Sequence, residues 1–117
     1  MATQKRLVPD RRIDLRIKVH LGCQIAFDGN EYEASIKDIS PIGAYLWSSC
    51  MPPRAADVSI TIKMPPLSIP IILEGKVVRR YSNNADQDQM NKFAVEFIHN
   101  SPALMVLIDR LENPRMA

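Results

Sequence analysis

The strongest constraint in this sequence is a recurring alternation of apolar and polar residues. In residues 15–27, LRIKVHLGCQIAF, the apolar residues at alternate positions are Ile17, Val19, Leu21, Cys23 and Ile25. A period of two is typical of a β-strand with one buried face. Similar runs recur along the chain with Pro or Gly between them, and no helical period appears before residue 100. The sequence therefore predicts an all-β core.

Six strands are predicted from these runs. They are residues 15–27, 32–40, 43–48, 57–64, 69–81 and 92–99. Asp28-Gly29-Asn30 is a turn sequence, so the first two strands are expected to form a hairpin. Gly75 lies inside the fifth run and predicts a bend or bulge near its middle, because an isolated Gly in a strand often marks one.

Only the end of the chain shows a helical period. Ser101 followed by Pro102 is a typical helix start, because Ser accepts a hydrogen bond from a free backbone N–H and Pro is tolerated in the first turn. Apolar residues then recur at i, i+3, i+4 and i+7, namely Leu104, Leu107, Ile108 and Leu111. A helix over about 101–112 is predicted, and its apolar face needs a packing partner.

Six strands without intervening helices favour antiparallel pairing, and closure into a barrel removes exposed strand edges. At 117 residues, one hydrophobic core is the natural expectation. The predicted fold is all-β with a C-terminal helix, a six-stranded antiparallel β-barrel with the helix over one opening. The single domain is expected to span residues 15–117, after a flexible basic leader, residues 1–14.

Several classes of function are disfavoured by the sequence. No stretch approaches about 18 apolar residues and no apolar signal segment is present, so a cytoplasmic protein without a membrane span is expected. Cys23 and Cys50 form no C-x-x-C pair, and His20 and His99 are isolated, so no metal site is predicted. No Walker or Rossmann spacing appears. We expect no catalytic residues, no enzyme activity and no cofactor.

Positive charge is concentrated at the front of the chain, where the first 20 residues hold six Lys and Arg against two Asp. A basic run of this kind is often only a solvated tail. Here it includes the segment DRRIDLR, residues 10–16, directly before the first strand. A second segment, DISPIG, residues 38–43, lies between the second and third strands. Both segments are therefore placed at strand ends.

These two segments resemble the motifs of PilZ domains, R-x-x-x-R near the N-terminus and D/N-x-S-x-x-G about one hairpin later. The matching residues are Arg12 and Arg16 in the first motif and Asp38, Ser40 and Gly43 in the second. GKVVRRY at 75–81 and KFAVEF at 92–97 look like the family's late pair of strands. The resemblance implies a barrel of the PilZ type that binds the bacterial second messenger cyclic di-GMP.

The matching residue types suit this ligand, which carries two phosphodiester charges and two guanine bases. The guanidinium groups of Arg12 and Arg16 can pair bidentately with phosphate oxygens or with guanine O6 and N7. Asp38 can accept hydrogen bonds from guanine N1–H and N2–H, which predicts a role in base selectivity. Ser40 can bond a phosphate or a base edge, and Gly43 allows close approach or a positive φ. The alternative for DISPIG is an ordinary turn.

Arg11 directly precedes R-x-x-x-R, and the resemblance implies that an extra Arg at this position favours two stacked ligand molecules. The alternatives are that Arg11 stays in solvent or pairs with Asp14. Arg79 and Arg80 could add basic contacts to the site, but charged residues near a strand end are usually solvated.

The predicted function is a cyclic di-GMP receptor or adaptor. Ligand binding would draw the leader across the barrel and present a new surface to a partner protein, with self-association left open. The alternative is a PilZ-fold interaction adaptor that binds no nucleotide. A binder of single-stranded nucleic acid is disfavoured by a net charge of +2 and only seven aromatic residues. Tyr45 and Trp47 could stack on guanine, although packing is the commoner role of aromatics alternating along a strand.

Overall fold

In the computed structural model, the described residues are 16–63, 70–81 and 90–112. They form six strands and one helix, which we label in chain order. The strands are β1 (Ile17–Phe27), β2 (Asn30–Ser40), β3 (Gly43–Ser48), β4 (Asp57–Ile62), β5 (Ile71–Tyr81) and β6 (Asn91–Phe97), and the helix is α1 (Pro102–Glu112). All six strands and the helix agree with the sequence-based expectation, with ends shifted by up to two residues.

The six strands close into an antiparallel barrel in the order β1-β2-β3-β6-β5-β4. Pairing of β1 with β4, for example Gln24 opposite Thr61, completes the ring. The hairpin between β1 and β2 turns at Asp28 and Gly29, which have φ values of 55° and 80°. Two successive positive φ angles are typical of the two-residue turn that matches strand twist, and Asp-Gly is a favoured sequence for it. The predicted fold class is therefore confirmed.

The barrel interior is filled by the inward residues of the alternating runs. Its largest fully buried side chains on the strands are Phe93, Ile25, Ile36, Ile39, Leu46, Ile60, Ile62, Val77 and Val95. Burial of each contributes about 1.5–3 kcal/mol of hydrophobic free energy relative to exposure. The residues between them point outward, and the outer surface of the barrel carries polar and charged side chains together with some apolar and aromatic ones, among them Ile72, Val78 and Tyr81.

Helix α1 adds a second part of the same core. Ser101 caps it, since its Oγ accepts a hydrogen bond from the backbone N–H of Leu104 at 3.1 Å. The predicted apolar face is confirmed: Leu104, Leu107 and Ile108 are buried in one cluster with the strand residues, and Leu111 packs against it. The helix contacts β1 and β5.

Three strands are irregular, and one of the irregularities is the bulge expected in the fifth strand. The register shifts within β1, within β2 between Ile36 and Asp38, and within β5 between Val77 and Arg79. The bulge expected near the middle of the fifth strand is present, at Val78, but Gly75 does not form it and pairs regularly with Val58. A Cβ on Gly75 would lie 2.5 Å from the Glu96 carbonyl oxygen, so the strand needs Gly there because β6 passes too close for a side chain.

Candidate functional site

Two of the three bulges lie on one row that crosses four strands. In β2, Asp38 pairs with Tyr45 of β3; Tyr45 pairs with Ala94 of β6; and Ala94 pairs with Arg79 of β5. The bulges in β2 and β5 thus flank the Tyr45–Ala94 pair from either side. Bulges are common next to functional sites, because they re-aim side chains and interrupt regular pairing. This row is therefore a candidate location for a functional site.

A cleft of about 220 Å³ lies beside this row. Its lining residues are Arg16, Ser40, Ile42, Gly43, Ala44, Val78, Ala94, Val95 and Glu96. We call the side formed by Arg16, Ser40, Ile42 and Gly43 the motif wall. We call the side formed by Val78, Ala94 and Glu96 the β5–β6 wall.

Arg16 stands at the entrance of β1, next to the end of β2. The register that pairs Ile17 with Ile39 and Lys18 with Asp38 brings Arg16 alongside the second motif. Its Nη1 lies 3.6 Å from Oδ1 of Asp38, while 68% of the Arg16 side chain remains exposed. An ion pair this exposed contributes little to stability, so most of the guanidinium donors are open to an incoming anion.

Ser40 lies at the last position of β2 and is almost fully buried. Its Oγ accepts a hydrogen bond from the Ile42 backbone N–H at 3.2 Å and lies 3.5 Å from the Gly43 carbonyl oxygen. A Ser side chain that bonds a backbone N–H two residues later is a common stabiliser of a tight turn. Ser40 therefore holds the β2–β3 turn, and its contact with a ligand stays a prediction.

Gly43 begins β3, directly opposite Glu96 of β6. Of the two reasons expected for Gly at this position, a positive φ is wrong, because only Gly29 has one among the described glycines. A Cβ on Gly43 would lie 2.5 Å from the Val95 carbonyl oxygen. Close approach is therefore the reason, and the group that approaches is the backbone of β6.

The β5–β6 wall was not found by sequence reasoning. Val78 is 42% exposed beside Ala94, and Glu96 is exposed at the rim. Within the part of the chain that the structure describes, Glu96 has no hydrogen-bond or ion-pair partner. The runs GKVVRRY and KFAVEF predicted two strands, but nothing in them indicates that β6 lies between β3 and β5. Only the strand order of the closed barrel places these residues beside the motif.

Aromatic and basic residues nearby serve packing on the outer surface. The Trp47 ring has the amines of Lys37 and Lys92 each 4.6 Å from its centroid. Tyr45 and Tyr81 meet edge to face with centroids 5.3 Å apart. None of these residues lines the cleft. The commoner role expected for alternating aromatics thus accounts for the contacts observed.

Arg79 and Arg80 are exposed and likewise do not line the cleft. This agrees with the expectation that charged residues near the end of a strand are solvated. Arg11 and Arg12 lie outside the described residues, as does the whole of the leader, so their part in the site stays a prediction.

Both cysteines belong to the buried core. Cys23 and Cys50 are both buried and unpaired, as expected for structural cysteines. Burial raises the pKa of the Cys23 thiol to about 12, so it is protonated and unreactive at neutral pH. Residues 16–63, 70–81 and 90–112 contain no group of three acidic, His or Cys side chains able to hold a metal ion. Their single helix is too short and too polar to cross a bilayer.

The fold and the cleft together define a closed six-stranded barrel whose candidate site lies on its outer surface, at the β2–β3 turn. The sequence model of the PilZ domain matches residues 10–112, and the chain belongs to this family. No curated protein sequence matches the chain significantly.

Two solved structures share the fold. The Bacillus subtilis inhibitor of motility MotI/DgrA aligns with a TM-score of 0.66 and 15% identity, over 87% of this chain and 50% of its own. The Borreliella burgdorferi PlzA protein, solved in complex with c-di-GMP, aligns with a TM-score of 0.67 and 22% identity, over 96% of this chain and 45% of its own. The chain thus spans about half the length of each. At these identities the likeness shows the fold alone.

Proposed function

We propose that this PilZ domain is a receptor for cyclic di-GMP and that it binds the ligand at the cleft between the motif wall and the β5–β6 wall. One observation carries the proposal: Arg16, Ser40 and Gly43, which come from two separate sequence motifs, line a single cleft. The c-di-GMP complex of the structural neighbour PlzA supports the choice of ligand.

The charge and size of the cleft suit part of a cyclic dinucleotide. The exposed guanidinium of Arg16 offers paired N–H donors to a phosphodiester or to guanine O6 and N7. The cavity of about 220 Å³ is smaller than the roughly 300–1,000 Å³ of sites that enclose a small molecule. One base with its phosphate would therefore occupy the cleft, and the rest of the ligand would lie across the outer surface.

The leader would supply the remaining contacts. In this proposal Arg12 completes the arginine pair from above the ligand, and Arg11 adds a second cation that suits two stacked ligand molecules. Arginines ordered on the ligand would create a surface absent from the free protein, and a cytoplasmic partner protein would recognise that surface. MotI, which shares the fold, is named an inhibitor of motility, and an effector of this kind fits the adaptor role.

Isothermal titration calorimetry of the protein with cyclic di-GMP tests the proposal, with cyclic di-AMP as the comparison ligand. We expect binding at micromolar concentrations for cyclic di-GMP. Arg16→Ala should weaken it at least tenfold, because a bidentate contact to phosphate or guanine contributes about 1–3 kcal/mol.

A matched control is Arg54→Ala, which removes an exposed arginine from a turn that does not line the cleft. Its affinity should equal that of the unmodified protein. No heat with cyclic di-GMP would overturn the proposal and favour the nucleotide-independent adaptor. Equal losses of affinity in Arg16→Ala and Arg54→Ala would show that binding responds to the net charge of the protein and not to the contact made by Arg16.

A further inference from the structure

An acidic residue lines the cleft, although the proposed ligand is itself a double anion. Glu96 is the acidic residue among those that line the cleft, and it lies on β6 opposite Gly43, whereas Arg16 lies at the start of β1. It has no partner within the described residues. Asp38, by contrast, lies 3.6 Å from Arg16, is largely covered and does not line the cleft. The acidic residue that is both exposed and part of the cleft lining is therefore Glu96.

An unpaired carboxylate beside a site for a doubly anionic ligand has an electrostatic cost. Two like charges a few ångströms apart near a protein surface repel by kcal/mol amounts. Lys76, directly opposite Glu96 on β5, is bonded to Asp57, so the Glu96 carboxylate is best compensated where it meets a hydrogen-bond donor of the ligand. Cyclic di-GMP has one donor edge that suits a carboxylate, the N1–H and N2–H groups of guanine.

The surroundings of Glu96 fit a purine base. Ile42 and Val78 expose apolar side chains, 41% and 42% respectively, at the same cleft. An apolar surface of this kind gains free energy when a ring face covers it. Gly43 lies directly opposite Glu96 and presents only backbone to the cleft. A base lying on Ile42 and Val78 would reach Glu96 with its edge.

We propose that Glu96 is the residue that recognises guanine, by accepting hydrogen bonds from N1–H and N2–H of one base. The inference rests on the proposed function, and it assigns base selectivity to Glu96 rather than to Asp38. The cleft is then bipolar: Arg16 binds the phosphate or the acceptor edge of the base, and Glu96 binds the donor edge. Asp38 acts indirectly, by orienting Arg16.

The test compares cyclic di-GMP with cyclic di-IMP, whose hypoxanthine bases lack the N2 amino group. Calorimetry is performed on the unmodified protein and on Glu96→Gln, Asp38→Asn and Glu74→Gln. Glu74 is an exposed residue of β5, opposite Ser59, that does not line the cleft, so it controls for loss of one negative charge. Thermal unfolding of each variant without ligand confirms that the barrel is intact.

We expect Glu96→Gln to bind cyclic di-GMP about tenfold more weakly and to lose most of its preference over cyclic di-IMP, because one bidentate base contact has about this magnitude. Asp38→Asn should weaken both ligands equally, and Glu74→Gln should change neither. Unchanged or tighter binding of both ligands by Glu96→Gln overturns the inference, since simple repulsion predicts that result. Failure of the unmodified protein to bind cyclic di-GMP overturns the proposed function itself.

Discussion

The two walls of the cleft differ in what their residues do without a ligand. On the motif wall three residues have internal contacts: Arg16 lies beside Asp38, the Ser40 hydroxyl holds the turn, and Gly43 makes room for the β6 backbone. On the β5–β6 wall, Val78 is an exposed apolar side chain and Glu96 is an unpaired carboxylate within the described residues.

Because of this difference, substitutions on the two walls affect the stability of the fold and the affinity for the ligand to different degrees. A substitution at Ser40 or Gly43 disturbs an internal contact, so a loss of ligand affinity there is mixed with a change in folding. The same experiment on the β5–β6 wall removes no internal contact and reports on the ligand alone. A motif recognised in sequence can therefore mark residues that shape the site, while residues outside the motif supply free groups to the ligand.

The largest expected effect is on the motif wall, in Gly43→Ala. The added Cβ would lie 2.5 Å from the Val95 carbonyl oxygen, a backbone atom that can move only if β3 and β6 separate. We expect a loss of about 3 kcal/mol in the free energy of unfolding, measured by urea denaturation. Gly22→Ala is the matched control, because a Cβ there meets nothing within 4 Å. Equal stability of the two variants would show that the barrel has room for a side chain at Gly43.

The next effect lies on the β5–β6 wall. Val78→Glu places a carboxylate next to Glu96, where it would repel an anionic ligand and remove the apolar surface beneath a base. We expect cyclic di-GMP affinity to fall at least tenfold by calorimetry, which is about 1.4 kcal/mol, while the free energy of unfolding changes by less than about 0.5 kcal/mol.

Ile72→Glu is the control for that variant, since Ile72 is 58% exposed on the same strand and does not line the cleft. It should leave the affinity within about twofold. If Val78→Glu binds as tightly as Ile72→Glu, the β5–β6 wall takes no part in binding and the comparison of the two walls fails.

The strands and the helix could be predicted from sequence because their patterns are local. The alternation of Ile17 to Ile25 and the Ser101-Pro102 helix start each depend on neighbours a few residues away. Arg16 and Asp38 could be placed together for a similar reason, since one hairpin with an Asp-Gly turn connects them. For this half of the site, hairpin pairing was sufficient.

The other half depends on long-range pairing that no local pattern determines. Glu96 lies beside Gly43 because β6 inserts between β3 and β5, 53 positions further along the chain. The bulge at Val78 was expected near Gly75, because isolated Gly is the usual mark of a bulge and nothing in VVRR indicates one. Gly is required at position 75 because the backbone of β6 passes too close for a side chain, and this long-range approach cannot be read from the sequence.

A smaller effect is expected for Ser40→Ala. The variant removes the acceptor of the Ile42 backbone N–H, and we expect a loss of about 1 kcal/mol in the free energy of unfolding. Ser35→Ala, on the same strand with no hydrogen bond from its side chain among the described residues, should change it by less than about 0.5 kcal/mol. Affinity measured where both variants are fully folded then reports the ligand contact of Ser40 separately. No loss of stability would show that the Ser40 hydroxyl does not hold the turn.

The smallest effect expected is the coupling between Arg16 and Asp38 in the free protein. A double-mutant cycle with Arg16→Ala and Asp38→Asn should give a coupling of about 0–1 kcal/mol in the free energy of unfolding, because the pair is 3.6 Å apart and Arg16 is 68% exposed. The same cycle measured on cyclic di-GMP affinity should be clearly non-additive, since Asp38 would act only through Arg16. A coupling of about 2 kcal/mol or more in the free protein would mean a rigid ion pair that a ligand must first break. In that case the motif wall would be closed by its own contacts, and the β5–β6 wall alone would be open to the ligand.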